Sequence, residues 1–179
     1  DGGIEVEASD DGDLGHGDTI EGPADPRSTA PATRRLPAVS TATLAARARA
    51  LEAMIVRGKF LAHLGVTIRF DDDFRPVVSL PHTPQLEHSR GGIHGGVLAT
   101  LIDAAAWCAA AVHYPSWIST VEFQVHLLEP VVGEDLVATG RTVRIGKRIA
   151  VAEAEVRTAA GRLVATGAAT LSATSLPFG

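Results

Sequence analysis

One carboxylate and two pairs of glycines carry the chemistry open to this chain. Asp103 sits among Leu101, Ile102, Ala104, Ala105, Ala106 and Trp107. An ionisable group in so apolar a setting is costly unless it is paired or has work to do. Upstream runs His88-Ser-Arg-Gly-Gly-Ile-His94-Gly95-Gly96, a glycine-rich turn, followed by an Ala-rich stretch with no Pro or Gly until Pro115. The pattern predicts a loop that delivers the chain to a helix N-terminus. The first N–H groups of such a helix are unpaired and partly positive, which suits an anion or a polarised carbonyl oxygen.

The spacing has a geometric consequence. Gly95 and Asp103 are eight residues apart, about 12 Å along one helix at its usual rise. A carbonyl held at the helix N-terminus is therefore out of reach of Asp103 on the same helix. If both act on one substrate, they come from two antiparallel copies of the helix, and the site is shared by two subunits.

The elements that position these groups can be traced along the chain. Residues 1–40 hold nine acidic and three basic residues among many Gly, Pro, Ser and Thr, and predict a disordered acidic tail. Residues 41–179 form one domain of near-neutral charge, which gives no electrostatic case for nucleic-acid binding. A helix is expected over Thr43–Lys59, from Leu44, Leu51, Met54 and Ile55, with Arg47 and Arg57 on its other side, Thr41 or Thr43 as cap and Gly58 as stop. Two β-branched runs over 63–80 flank Asp71-Asp72-Asp73 and predict a hairpin with a solvated acidic turn.

After the central helix and a turn at Tyr114–Trp117 come four strand-like runs: Ile118–Leu128, Asp135–Ile145, Arg148–Thr158 and Arg162–Ala173. Gly146-Lys147 and Ala159-Ala160-Gly161 are turn-forming separators. An antiparallel meander with one face covered follows from that pattern, and the only element long and apolar enough to cover it is the central helix. This is an α+β chain of the hotdog kind, one long helix wrapped by a curved antiparallel sheet. Cys108, the sole cysteine, reads as a buried hydrophobe, with no disulfide framework and no cysteine zinc site. No apolar run is long enough for a transmembrane helix. The start lacks a signal pattern, so the cytoplasm is the expected compartment.

His94-Gly95-Gly96 with Asp103 nine positions after the histidine, Thr120-Val-Glu-Phe-Gln-Val-His-Leu-Leu-Glu-Pro130, Gly133-Glu-Asp-Leu136 and Gly146-Lys147-Arg148 together resemble the PaaI-like hotdog acyl-CoA thioesterases. The resemblance spans roughly 61–174. It implies that the Gly95 N–H polarises a thioester carbonyl and that Asp103, from the other subunit, is nucleophile or general base for water. It further implies that Thr120 helps position that water and that His94 shapes the turn and supports the thioester. His88 stands where many relatives have Asn. His88 and Gly96 are candidate substrate-binding residues of the turn, and Arg90, Lys147 and Arg148 are candidates for the phosphates of coenzyme A.

The implied reaction is hydrolysis of an acyl- or aryl-CoA to the carboxylate and free CoA, with no metal and no cofactor beyond the CoA of the substrate. A thioester is already electrophilic, so an oxyanion donor and one base suffice. The expected assembly is a homodimer, extended to a homotetramer as a dimer of dimers, with no nucleic-acid or membrane partner. Two other functions fit the same fold: an enoyl-CoA hydratase or dehydratase, and a non-catalytic acyl-CoA sensor. Trp107 and Trp117 either pack in the core or line an acyl pocket.

Overall fold

A computed structural model of the chain describes residues 39–55 and 57–178. The expected acidic tail therefore lies outside the described residues, apart from residues 39 and 40. Helix α1 spans Thr41–Ile55 and buries Ala48, Leu51 and Ile55. Its cap is Ser40, whose Oγ accepts the Thr43 N–H at 3.2 Å, rather than Thr41 or Thr43. The helix also stops before the expected Lys59. Arg47, expected on the polar side, reaches across to the Val112 carbonyl at 3.4 Å.

A second, short helix, α2 (Lys59–Leu64), ends at Gly65 in the left-handed conformation with φ +79°. The sequence pattern places His63 and Leu64 in a strand-forming run, which the structure corrects to helix. Six residues are too few to show a helical period, so only Gly65 marked the break. The expected hairpin follows as β1 (Thr67–Phe70) and β2 (Pro76–Leu80). Asp71 Oδ1 accepts the N–H groups of Asp73 and Arg75 at 3.0 and 2.8 Å, so the first acidic residue of the triplet builds the turn itself.

Helix α3 (Gly95–Ala111) is the axis of the fold. Leu98, Leu101, Ile102, Ala105, Cys108 and Ala109 are buried along it against the sheet, and each fully buried large aliphatic contributes about 1.5–3 kcal/mol. The four remaining strands are β3 (Ser116–Leu127), β4 (Leu136–Ile145), β5 (Ile149–Thr158) and β6 (Leu163–Pro177). Alanines at 138, 152, 154, 165 and 169 floor the sheet under the helix. Gly140 lies under the Ala105 carbonyl, where a Cβ would collide with backbone. Small residues on both layers let helix and sheet approach closely.

The six strands form one antiparallel sheet in the order β1-β2-β4-β5-β6-β3. This is the hotdog arrangement, with one correction to the expected meander. Of the four strands expected in the meander, only β4, β5 and β6 follow one another. Strand β3 passes its sequence neighbour β4 and pairs with β6, so it forms an edge. A second correction concerns the β4–β5 turn. Gly146 N–H donates to the Ile149 carbonyl at 3.0 Å, so the two central turn residues are Lys147 and Arg148 rather than Gly146 and Lys147. Among the described residues no helix is long and apolar enough to cross a membrane.

Candidate active site

The turn before α3 is built from its own backbone. His88 N–H donates to the Gly92 carbonyl at 2.8 Å and Gly91 N–H to the His88 carbonyl at 2.9 Å. Gly91 has φ +78°, a conformation glycine takes without strain. His88 Nδ1 accepts the Arg90 N–H at 3.1 Å, and its Nε2 packs over Gly92, where a Cβ would come within 2.9 Å. Within the protomer, His88 thus holds the turn in shape. Ile93 N–H donates to the Val131 carbonyl and His94 N–H to the Leu86 carbonyl, which fixes where α3 begins.

Val131 sits in the loop between β3 and β4, and Arg162 clamps that loop. Its guanidinium donates to Glu129, Glu134 and the Pro130 carbonyl. Neither Arg162 nor Val131 belongs to a recognisable motif. The signal available was charge complementarity between Arg162 and the two glutamates, which only the fold brings together.

At the helix start, His94 is the N-cap. Its Nδ1 accepts the Gly96 N–H at 2.9 Å, which leaves Nε2 as the protonated nitrogen of the neutral ring. Val97 N–H is taken by the His94 carbonyl at 2.9 Å. The Gly95 N–H is the first of the helix and has no intrahelical acceptor. Of the three leading N–H groups it is the one without an acceptor among the described residues.

Asp103 is part-buried on the same helix. The hydroxyl of Thr120 donates to Asp103 Oδ1 at 2.8 Å. A register shift between Thr120 and Glu122 interrupts the β3–β6 ladder, and a bulge of this kind turns a side chain out of strand alternation. Among the described residues, Asp103 Oδ2 takes no hydrogen bond. Cys108, one turn further on, is buried. Burial first, and the nearby Asp103 carboxylate second, push its thiol far above the ordinary range, so it is no nucleophile.

Helix and edge strand run antiparallel to one another. Leu127 lies against Gly95, while Trp107 Nε1 donates to the Ile118 carbonyl at 2.8 Å. The structure therefore gathers His88, Arg90, His94, Gly95 and Gly96 at one end of α3. Asp103 and Thr120 meet about 12 Å along it. Lys147 and Arg148 lie at the opposite end, where Tyr114, just past the helix, donates to the Gly146 carbonyl at 2.6 Å. Within one protomer the three candidate phosphate-binding cations are not brought together. A cavity of about 1060 Å³ opens elsewhere, against Arg141, Glu153, Glu155 and His126, and includes neither Asp103 nor Gly95.

A family model described as the thioesterase superfamily matches residues 90–165, the span from the glycine turn to the start of β6. A Halobacterium salinarum protein named as a candidate esterase is 34% identical over 107 residues, 56% of this chain and 70% of its own. The chain belongs to the thioesterase superfamily. Among solved structures of the superfamily, a thioesterase family protein from Silicibacter pomeroyi is 28% identical with a TM-score of 0.66, covering 73% of this chain and 98% of its own. PaaI, from the phenylacetic acid degradation operon of E. coli, superposes with a TM-score of 0.67 over 75% of this chain and 98% of its own. At 23% identity that likeness speaks for the shared hotdog fold.

Proposed function

We propose that this superfamily member hydrolyses acyl-CoA thioesters, with Asp103 and the Gly95 N–H acting on one substrate from two subunits. The observation that carries the reading is the Asp103–Thr120 hydrogen bond on the same unbroken helix that opens with the free Gly95 N–H. The Gly95 N–H stabilises negative charge on the thioester oxygen, and His94 Nε2–H is a second donor at the same helix end. Asp103 serves as base for water, or attacks the carbonyl carbon itself, in which case the carbon–sulfur bond breaks, the CoA thiolate leaves, and water then hydrolyses the resulting mixed anhydride. On the water route a bond forms between water oxygen and carbonyl carbon, the carbon–sulfur bond breaks, and the CoA thiolate leaves with the proton taken from water. Because Thr120 spends its hydroxyl proton on Asp103, its lone pairs accept from that water.

The edge strand supports a homodimer. Val121 and Leu127 on β3 are 61% and 57% exposed, with Phe123 and Leu128 beside them. A long apolar edge is a site for pairing with another strand, and pairing two copies of β3 sets two copies of α3 antiparallel. Such dimers, packed in pairs, give the tetramer that the family resemblance suggests.

Two inactive variants test the shared site. Asp103→Asn is expected to lower thiol release from acyl-CoA by about a hundredfold or more. Gly95→Pro removes one N–H at the first helical position, where the backbone accepts proline once the Leu127 side chain gives way, and is expected to cost about 10²–10³ in rate. A heterodimer of the two variants contains one intact site and one doubly defective site. Co-refolding equal amounts should then restore about a quarter of wild-type activity, by random pairing in a two-fold dimer. No recovery on mixing would sink the shared site, and a wild-type protein inert on every acyl-CoA would sink the thioesterase reading.

A further inference from the structure

Resting on the reading of the Gly95 N–H as the donor to the thioester oxygen, we propose that Arg162 is a positioning residue. Its guanidinium sets where that N–H points, acting through the loop between β3 and β4. The link begins on a fixed support. Thr158 N–H donates to the Arg162 carbonyl at 2.9 Å and Gly161 N–H to the Thr158 carbonyl at 2.8 Å, so a tight turn between β5 and β6 holds the Arg162 backbone. From there Nη1 donates to Glu129 Oε2 at 2.8 Å and to the Pro130 carbonyl at 3.2 Å, while Nη2 donates to Glu134 Oε1. One planar fork thus grips both ends of the segment 129–134, which the point charge of a lysine does not do.

The loop has use for such a grip. Residues 128–135 form neither helix nor strand. Backbone ties the two ends, Leu128 N–H to the Val164 carbonyl at 3.0 Å and Ala159 N–H to the Asp135 carbonyl at 2.9 Å. Between them, the Pro130 carbonyl shares a rigid peptide plane with the Val131 nitrogen, so the bond from Arg162 constrains Val131 as well. The buried Val131 side chain holds the same point from the core. Val131 then offers its carbonyl to the Ile93 N–H at 2.8 Å. The same oxygen lies over Gly92, 3.3 Å from where a Cβ would stand. Ile93 precedes Gly95 by two residues, so a shift of the loop is a shift of the helix start.

The side chains of Arg162, Glu129 and Glu134 are 38%, 52% and 34% exposed. Ion pairs so open to water add little to stability. Position is another matter. An oxyanion donor works only within a narrow range of distance to the developing charge, and a displacement of about 1 Å by a remote substitution costs about a hundredfold in rate. The loss of an interaction made in the transition state alone shows in kcat rather than in KM. Removing the fork is therefore expected to slow the chemical step while fold and substrate binding stay in place.

The test is steady-state thiol release from an acyl-CoA that the wild type hydrolyses, with urea midpoints measured on the same preparations. Arg162→Met keeps the apolar stem and loses the fork. It should lower kcat by about ten- to a hundredfold, with KM and the urea midpoint close to wild type. Arg162→Lys restores the charge without the fork and should recover part of the loss. The double variant Glu129→Gln/Glu134→Gln should also lower kcat, and adding Arg162→Met to it should cost little more, because both act through one network. Arg141→Met removes an ion pair with Glu153 elsewhere on the sheet and should keep the wild-type kcat. If Arg162→Met does not fold, the glutamate pair carries the test, and a wild-type kcat there overturns the proposal. Wild-type kcat in a folded Arg162→Met, or a loss confined to KM, overturns the positioning role, as does a kcat loss matched by Arg141→Met. Each of these results leaves the thioesterase reading standing. A wild type that releases no thiol from any acyl-CoA overturns that reading, and the role of Arg162 falls with it.

Discussion

Thr120 follows Asp103 by 17 positions, and its hydroxyl donates to the Asp103 carboxylate at 2.8 Å. A hydrogen bond to a charged group is worth about 1.5–3 kcal/mol, which corresponds to roughly ten- to a hundredfold in rate when the bond shapes the transition state. Thr120→Val should lower kcat on this scale and leave KM nearly unchanged, and Thr120→Ser should keep most of the activity. Steady-state thiol release measures both. A valine variant with wild-type kcat would reduce Thr120 to a packing residue.

Gly140 predicts a stability effect remote from the chemistry. A methyl group there meets the Ala105 carbonyl and the Ala109 side chain, so Gly140→Ala must push α3 off the sheet. Overpacking of this sort costs about 1–3 kcal/mol, more where backbone has to move. The urea midpoint should fall accordingly. Gly133→Ala is the useful contrast, because a Cβ at Gly133 meets nothing within 4 Å and its cost comes only from a φ of +64°. Equal midpoints for wild type and Gly140→Ala would contradict the close packing of helix on sheet.

His113 gives a pH dependence with a definite sign. Burial first, and the Arg47 charge second, hold its folded pKa below the ordinary 6.5. The unfolded chain takes up this proton near the ordinary value, and the folded chain only at lower pH. Between the two values the unfolded state binds more protons, so acid favours it. The contribution is fully present above about 6.5 and is lost as pH falls through the folded value. Denaturation midpoints from pH 8 to 5 should show this decline in wild type and a shallower one in His113→Gln. An identical acid slope in the two proteins would remove His113 as its source.

The parts of the fold legible in the sequence are those set by local pattern. The glycine turn, the long helix after it, the acidic hairpin turn and the strand-forming runs each follow from spacing and turn chemistry within a short window. The encounter of Asp103 with Thr120 is non-local, and only the family resemblance pointed to it. The place of β3 was not legible: β3 and β4 carry equal strand signals, and nothing local tells β3 to pass β4 and pair with β6. Lys147 and Arg148 matched the phosphate-binding pattern as well as Arg90 does, yet the antiparallel path of the chain sends them to the other end of α3. The capping role of Ser40 was missed because Ser40, Thr41 and Thr43 offer the same chemistry, and one turn of backbone decides among them.

The pairing of β3 with β6 also bears on the order in which the fold is completed as the chain is made. Ser116 lies opposite Pro177, and Leu127 opposite Ala165, so among the described residues the strand carrying Thr120 has no neighbouring strand until β6 has been synthesised. Helix α3 and Asp103 leave the ribosome long before that. Pairings this distant in sequence are slow to form because loop closure must precede their reward. Pairing with β6 therefore fixes the strand that carries Thr120 and, with it, the edge offered to a second copy.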